Sequence, residues 1–392
     1  MFKKYACVIT AAAMMLSIMT SCGSSENETA SGSAEASSAV TTAVTEENYD
    51  EKLSSMTSAE IVEDMTFGWN LGDTLDVCNA DRDGDGEANE TADVVDETLW
   101  GNPQATAELF KSLKDDGINA VRIPVTWRDH LDKDNNIDSD WMDRVQEVVD
   151  YAYSLDMYVI INVHHDGGDD EKFGAWVRKA ADDYDSFYER YSSIWNQICD
   201  RFGDYSERLI FESMNEVGFD NLNQAEAYEL LNKINQDFVD LVRSSGKRND
   251  TRHLLIAGYW TDIRETCSPL YKLPDDPAGR CIVSVHYYTP WQFCITGEHS
   301  TWGTDEEIKE MESLVGKLSD TFCSNGIPVI VGEYAASGSD KASCVDFIER
   351  FVSLCKQSGI AVFYWDNGSQ IDRNTYEWRD PEFLEAMQRA AA

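Results

Sequence analysis

From about Met56 onward, short apolar runs alternate with longer stretches whose apolar positions recur at helical spacing. The runs at 67–71, 118–124, 158–163, 209–214, 253–257, 281–286, 329–333 and 360–365 are mostly rich in Val and Ile, and apolar on both faces. That pattern predicts strands buried on both sides, as in a parallel sheet. The intervening stretches 104–115, 141–154, 186–202, 225–244, 306–324 and 341–357 predict amphipathic helices. Stop signals precede several strands: Asp116-Gly117 before Ile118, Asn325-Gly326-Ile-Pro328 before Val329, and Ser358-Gly359 before Ile360. The connection 261–277 carries the weakest helical pattern. Eight strands alternating with helices fit an α/β architecture closed as a (β/α)8 TIM barrel better than an open sheet. No second linker interrupts the pattern, so residues 56–392 are expected to form one domain.

The segments before it differ. Lys3 and Lys4 precede an apolar run from Tyr5 to Met19, which reads as an export signal over residues 1–21 and is too short for a membrane span. Met19-Thr-Ser-Cys22 resembles a bacterial lipobox, which would make Cys22 a lipidated first residue; an ordinary secretory signal is the alternative. Residues 22–55 are rich in Ser, Thr, Ala and Glu and read as a flexible tether. The expected location is therefore extracellular, on the outer face of a bacterial membrane, with the lipid as the only membrane contact.

Composition narrows the partners. With 42% hydrophobic and 11% aromatic residues the chain can bury a large core. A formal net charge of −40 repels nucleic acid and anionic lipid and favours neutral partners, although solubility alone is also a sufficient reason. The eight cysteines beyond Cys22 show no CxxC zinc spacing, and both disulfides and buried thiols are compatible with export.

Chemistry collects where the predicted strands end. In order these positions hold Asn70, Arg122, His164 with His165, Asn215-Glu216, His286 with Tyr288, Glu333 and Trp365. Taken singly, each has a bland explanation as a loop charge, an ion-pair partner or a core histidine. Their recurrence at the same end of seven strands points instead to a barrel-mouth site. Two glutamates there, Glu216 after Phe211-Glu-Ser-Met-Asn and Glu333 after Val329-Ile-Val-Gly, suggest glycoside hydrolysis, which needs paired carboxyls.

The ordered set Gly68-Trp-Asn-Leu-Gly72, Trp100-Gly-Asn-Pro103, Val121-Arg-Ile-Pro124, Asn162-Val-His-His165, Asn215-Glu216, Val285-His-Tyr-Tyr288, Gly332-Glu-Tyr334 and Trp365-Asp-Asn-Gly368 resembles glycoside hydrolase family 5. It is most similar to the subfamily 4 endo-β-1,4-glucanases, over about residues 66–368. The resemblance implies Glu216 as general acid/base and Glu333 as nucleophile. It also implies Arg122, His164, Asn215, His286, Tyr288 and Trp365 as the surrounding active-site residues, with Arg122 and Tyr288 suited to holding the Glu333 charge. Asn70, His165 and Trp291 join them as substrate-binding candidates. Its implied substrate is β-1,4-glucan, with mixed-linkage glucan or xyloglucan as alternatives; the rivals are a mannan or xylan hydrolase of the same mechanism and a non-catalytic sugar-binding barrel. A monomer is the default for an enzyme that must embrace a polymer. Catalysis of this kind requires no cofactor. Two positions depart from the family's usual residues: Asp73 stands where asparagine is usual, and Val217 where proline usually follows the catalytic glutamate.

Two further features stand apart. Trp69, Trp127, Trp176, Trp260, Trp291 and Trp302 fall near strand ends or in following loops, and two or three of the six are expected to line a cleft. Asp81-Arg-Asp-Gly-Asp-Gly-Glu87 places Asp81, Asp83 and Asp85 at alternate positions, as at the start of a calcium loop. Ala92 at the twelfth position cannot ligate, so a structural calcium and a solvated acidic turn both fit.

Overall fold

The computed structural model describes residues 52–80, 92, 94–167 and 174–392. Eight strands, β1 (Gly68–Leu71), β2 (Ala120–Ile123), β3 (Tyr158–Asn162), β4 (Leu209–Glu212), β5 (Leu254–Asp262), β6 (Cys281–Tyr287), β7 (Val329–Tyr334) and β8 (Ile360–Asp366), close into a barrel in sequence order. Every neighbouring pair is parallel, including β1 with β8. The helices Ala107–Asp115, Ser139–Tyr153, Tyr184–Phe202, Gln224–Ser244, Asp305–Thr321 and Lys341–Gln357 match the six predicted ones to within a few residues. Their stops work as expected, since Gly117, Gly326 and Gly359 all adopt positive φ, where a side chain would be strained. After β5 the chain makes only the four-residue helix Ile263–Thr266, and Pro381–Ala391 adds a closing helix.

Alternation along the strands sorts the interior into two layers. Ala120, Tyr158, Ile160, Ile210, Leu255, Ile282, Ile330, Ala361 and Phe363 form one apolar cluster filling the base of the barrel. The Phe363 ring occupies the space a side chain at Gly68 would need, with ring atoms 2.3 Å from an ideal Cβ there. One step further along the same faces the residues turn polar: Asn70, Arg122, Asn162, Glu212 and Ser284, all buried.

The base is closed from outside by the helix Ser58–Asp64, whose Ile61 and Val62 join the same cluster with Leu53 and Met65. Thr57 caps this helix and Glu60 returns a bond to the Thr57 backbone, an arrangement worth about 1 kcal/mol. Leu53 is buried and Lys52–Ser55 are helical, so the domain begins before the expected boundary at Met56. The plug needs apolar side chains that a solvated tether would not supply.

Candidate active site

The polar layer is built around Arg122. From β2 its Nε donates to Glu212 Oε2 on β4 at 2.6 Å, Nη1 to Asn70 Oδ1 at 3.0 Å and to Glu333 Oε1 at 2.7 Å, and Nη2 to Asn215 Oδ1 at 2.8 Å. Burial works against the guanidinium charge, but Glu212 and then Glu333 outweigh it and hold its pKa above the ordinary value. Glu212 is in turn fixed by Asn162 Nδ2 at 3.1 Å and Ser284 Oγ at 2.8 Å.

Glu333 ends up between donors. Its Oε1 takes the Arg122 bond and its Oε2 accepts from Tyr288 Oη at 2.8 Å, with His286 Nδ1 at 3.4 Å. A carboxylate gripped this way is held in one orientation. Glu216 is the accessible partner, with a side chain 43% exposed against 6% for Glu333. Its Oε1 lies 2.7 Å from His286 Nδ1, and Glu216, His286 and Glu333 each bring an atom within 4.8 Å of the others. Two carboxyls brought this close are the pairing that glycoside hydrolysis needs. Burial raises the Glu216 pKa, yet the hydrogen bond and charge of His286 outweigh it, so the net direction is down.

Around the pair, Arg122 fixes the Asn215 amide by its oxygen, leaving Nδ2 as the donor half. The Asn162 carbonyl accepts from Val125 N at 3.1 Å, so its Nδ2 donates to His164 Nδ1 at 3.1 Å. His164 therefore carries its proton on Nε2. Burial, with His165, Arg122 and His286 nearby, pushes its pKa well down, so the ring stays neutral. Its ring is parallel to Trp365 at 5.8 Å.

A family model for cellulase (glycosyl hydrolase family 5) matches residues 83–371 of this scaffold. The chain belongs to glycoside hydrolase family 5. Endoglucanase A of Clostridium longisporum is 32% identical over 86% of this chain and 66% of its own length, so part of that relative lies outside the match. Endoglucanase A of Paenibacillus barcinonensis is 34% identical, covering 80% of this chain and 83% of that protein. Among solved structures, a subfamily 4 broad-specificity endoglucanase from an uncultured bovine rumen ciliate aligns with TM-score 0.77 at 33% identity, over 86% of this chain and 98% of that one.

The family 5 site gathers all seven strand-end clusters expected from sequence. Asn70 and Arg122 are fully buried and spend their polar atoms on other protein groups, so they brace the carboxylates from beneath and do not face a sugar. His165 is partly exposed, 3.8 Å from Asp76 and against Trp100, while Trp291 packs edge-on to Tyr288 at 6.3 Å. Of the six other tryptophans, Trp69, Trp127, Trp176 and Trp302 are buried in the core, and only Trp260 and Trp291 are partly exposed. Asp81, Asp83 and Asp85 lie outside the described residues.

Both departures from the family pattern are absorbed by backbone. Asp73 adopts φ 51°, a conformation aspartate tolerates as asparagine does. Glu216 adopts φ 48°, and Val217 after it lacks the restriction a proline would impose on that residue.

Glu212 was missed by the sequence reading, although a charged residue inside an apolar run, on the same face as Glu216, was a usable signal. Among the described residues, two His/carboxylate groups could be mistaken for metal sites: Asp76 with His164 and His165, and Glu216 with His286 and Glu333. In the first, both His164 nitrogens are occupied, one by Asn162 and one by its own proton. In the second, the Arg122 guanidinium already neutralises Glu333.

Proposed function

We propose that this chain is a retaining endo-β-1,4-glucanase. The observation that carries the reading is the Glu216–Glu333 pair: one exposed carboxyl on His286, one buried carboxylate held by Arg122 and Tyr288, within 4.8 Å of each other. In the first step a Glu333 oxygen bonds to the anomeric carbon as the glycosidic bond breaks, and Glu216 gives its proton to the departing oxygen. In the second, Glu216 takes a proton from water, which displaces Glu333 with net retention. The lowered Glu216 pKa belongs to the free site, where His286 Nδ1 lies 2.7 Å from Glu216 Oε1.

Replacing Glu333 with alanine tests this directly. Turnover should vanish, and added azide should restore it with a glycosyl azide of the opposite anomeric configuration. Wild-type turnover in Glu333→Ala would sink the assignment.

The substrate reading rests on relatives named endoglucanases, and the broad-specificity structure supports a second reading in which other β-glucans are also cleaved. Product analysis on carboxymethylcellulose, barley glucan, xyloglucan and mannan side by side separates the two. We further propose export with a lipid on Cys22, a monomeric state, and a structural calcium at Asp81, Asp83 and Asp85. Metabolic labelling with palmitate, sedimentation, and melting with and without chelator test these in turn.

A further inference from the structure

The strand that neighbours the acid is irregular in a specific way. Along β5 and β6, Ala257 faces Ser284 while Asp262 faces His286, so β5 uses five residues where β6 uses two. The surplus forms a bulge in which Trp260 and Thr261 both take positive φ, at 52° and 48°. Bulges beside active sites re-aim side chains. Here the bulge turns its residues onto the loop that leaves β4, which carries Glu216, itself at φ 48°.

Every residue from Val217 to Asp220 is held from outside this loop. Trp260 N donates to Val217 O at 2.9 Å, and Tyr259 Oη accepts from Phe219 N at 2.9 Å. Trp260 Nε1 donates to Asp220 Oδ1 at 3.0 Å. The indole lies so close over Gly218 that a Cβ there would stand 2.2 Å from Nε1. Arg178, from the segment after β3, donates to Gly218 O at 3.0 Å and stacks its guanidinium 5.3 Å from the Trp260 ring. Glu216 itself has one side-chain hydrogen bond, to His286, and is 43% exposed. A left-handed backbone at a non-glycine residue persists only where its surroundings enforce it.

We infer that Trp260 is a positioning residue for Glu216: it clamps the Val217–Asp220 loop and thereby sets where the acid's proton is delivered. The inference rests on the proposed role of Glu216 as general acid. It is distinct from a sugar-stacking role, because it concerns proton delivery to the leaving group and not binding.

The test uses kcat/KM for aryl β-cellobiosides, which reports the bond-breaking step. A 2,4-dinitrophenyl leaving group needs no protonation, whereas phenol does. General acid catalysis contributes about 10²–10⁴-fold, so Trp260→Ala should lose about 30-fold or more on the phenyl glycoside and less than about 3-fold on the dinitrophenyl one. Asp220→Ala removes only the indole acceptor at an exposed position and should shift the same ratio in the same direction by about 3–10-fold. It decides the matter alone if Trp260→Ala does not fold.

Glu216→Gln is measured in parallel. If it shows no leaving-group dependence, the acid assignment fails. If Glu216→Gln shows it and the Trp260 and Asp220 variants lose activity equally on both glycosides, change only KM, or lose nothing, the positioning role is overturned and the acid role stands.

Discussion

Arg122 and Glu333 meet at 2.7 Å across the barrel interior, from strands β2 and β7 that are not neighbours. The same guanidinium holds Glu212, Asn70 and Asn215, so one side chain sets the position of the proposed nucleophile and of the amide beside the proposed acid. A lysine offers one point charge and cannot reproduce that fork. Arg122→Lys is expected to lower kcat by about 10²–10³-fold, the scale seen when a preorganised electrostatic group is lost. Steady-state kinetics on barley glucan checks this, and a change confined to KM would contradict it.

Glu212 faces no substrate, and its two oxygens serve Arg122, Asn162 and Ser284. Breaking a buried pair by removing one charge costs about 3–5 kcal/mol, because the remaining charge is left uncompensated. Glu212→Gln keeps the shape and part of the hydrogen bonding, and Arg122 keeps Glu333, so a loss of about 3 kcal/mol is expected in urea unfolding. A loss below about 1 kcal/mol, the worth of a surface pair, would show that Glu212 is not the needed counter-ion.

Two histidines outside the site make stability depend on pH. Burial, with Arg280, Arg243 and Arg252 adding like charge, pushes the His253 imidazole down to about 3. Burial likewise pushes His130 down to about 4, against Asp138. Unfolded imidazoles titrate near 6.5, so below that pH the unfolded chain binds more protons and stability falls as pH drops toward the folded values. Each histidine contributes a slope on the order of 1.4 kcal/mol per pH unit. Thermal melts between pH 6.5 and 4.5 should therefore fall steadily, and because His164 is depressed in the same direction, His253→Gln should remove about a third of the histidine share of that slope. An unchanged slope in the variant would refute the buried-neutral reading.

All eight cysteines among the described residues are free thiols, and six of them are buried. Several lie in strands and helices, where their sulfurs pack as small apolar groups. The melting temperature should therefore be the same with and without dithiothreitol. A drop of several degrees under reduction would mean that oxidation forms a bridge, and mass spectrometry would locate it.

Much of the fold was legible because its signals are local. Runs of Val and Ile separated by helical stretches ending in Gly117, Gly326 and Gly359 located all eight strands and six helices. The plug helix Ser58–Asp64 was not legible: it is only seven residues long, and its apolar positions gain meaning from the barrel base they cover. The bulge in β5 was equally hidden, since nothing in Gly258-Tyr-Trp-Thr261 marks three extra residues until β6 provides the register.

The site divides the same way. By itself, the sequence determined the eight-strand barrel and the barrel end at which Glu216 and Glu333 sit, because strand alternation is written in residue order. Only the tertiary structure decided which side chains face solvent and which face each other. Arg122 was expected to hold the Glu333 charge, but that it also gathers Asn70, Glu212 and Asn215 was not legible, because only closing the sheet brings β1, β2, β4 and β7 around one buried charge. The grip of Trp260 on the loop after Glu216 depends on contacts forty residues apart, which no local pattern encodes.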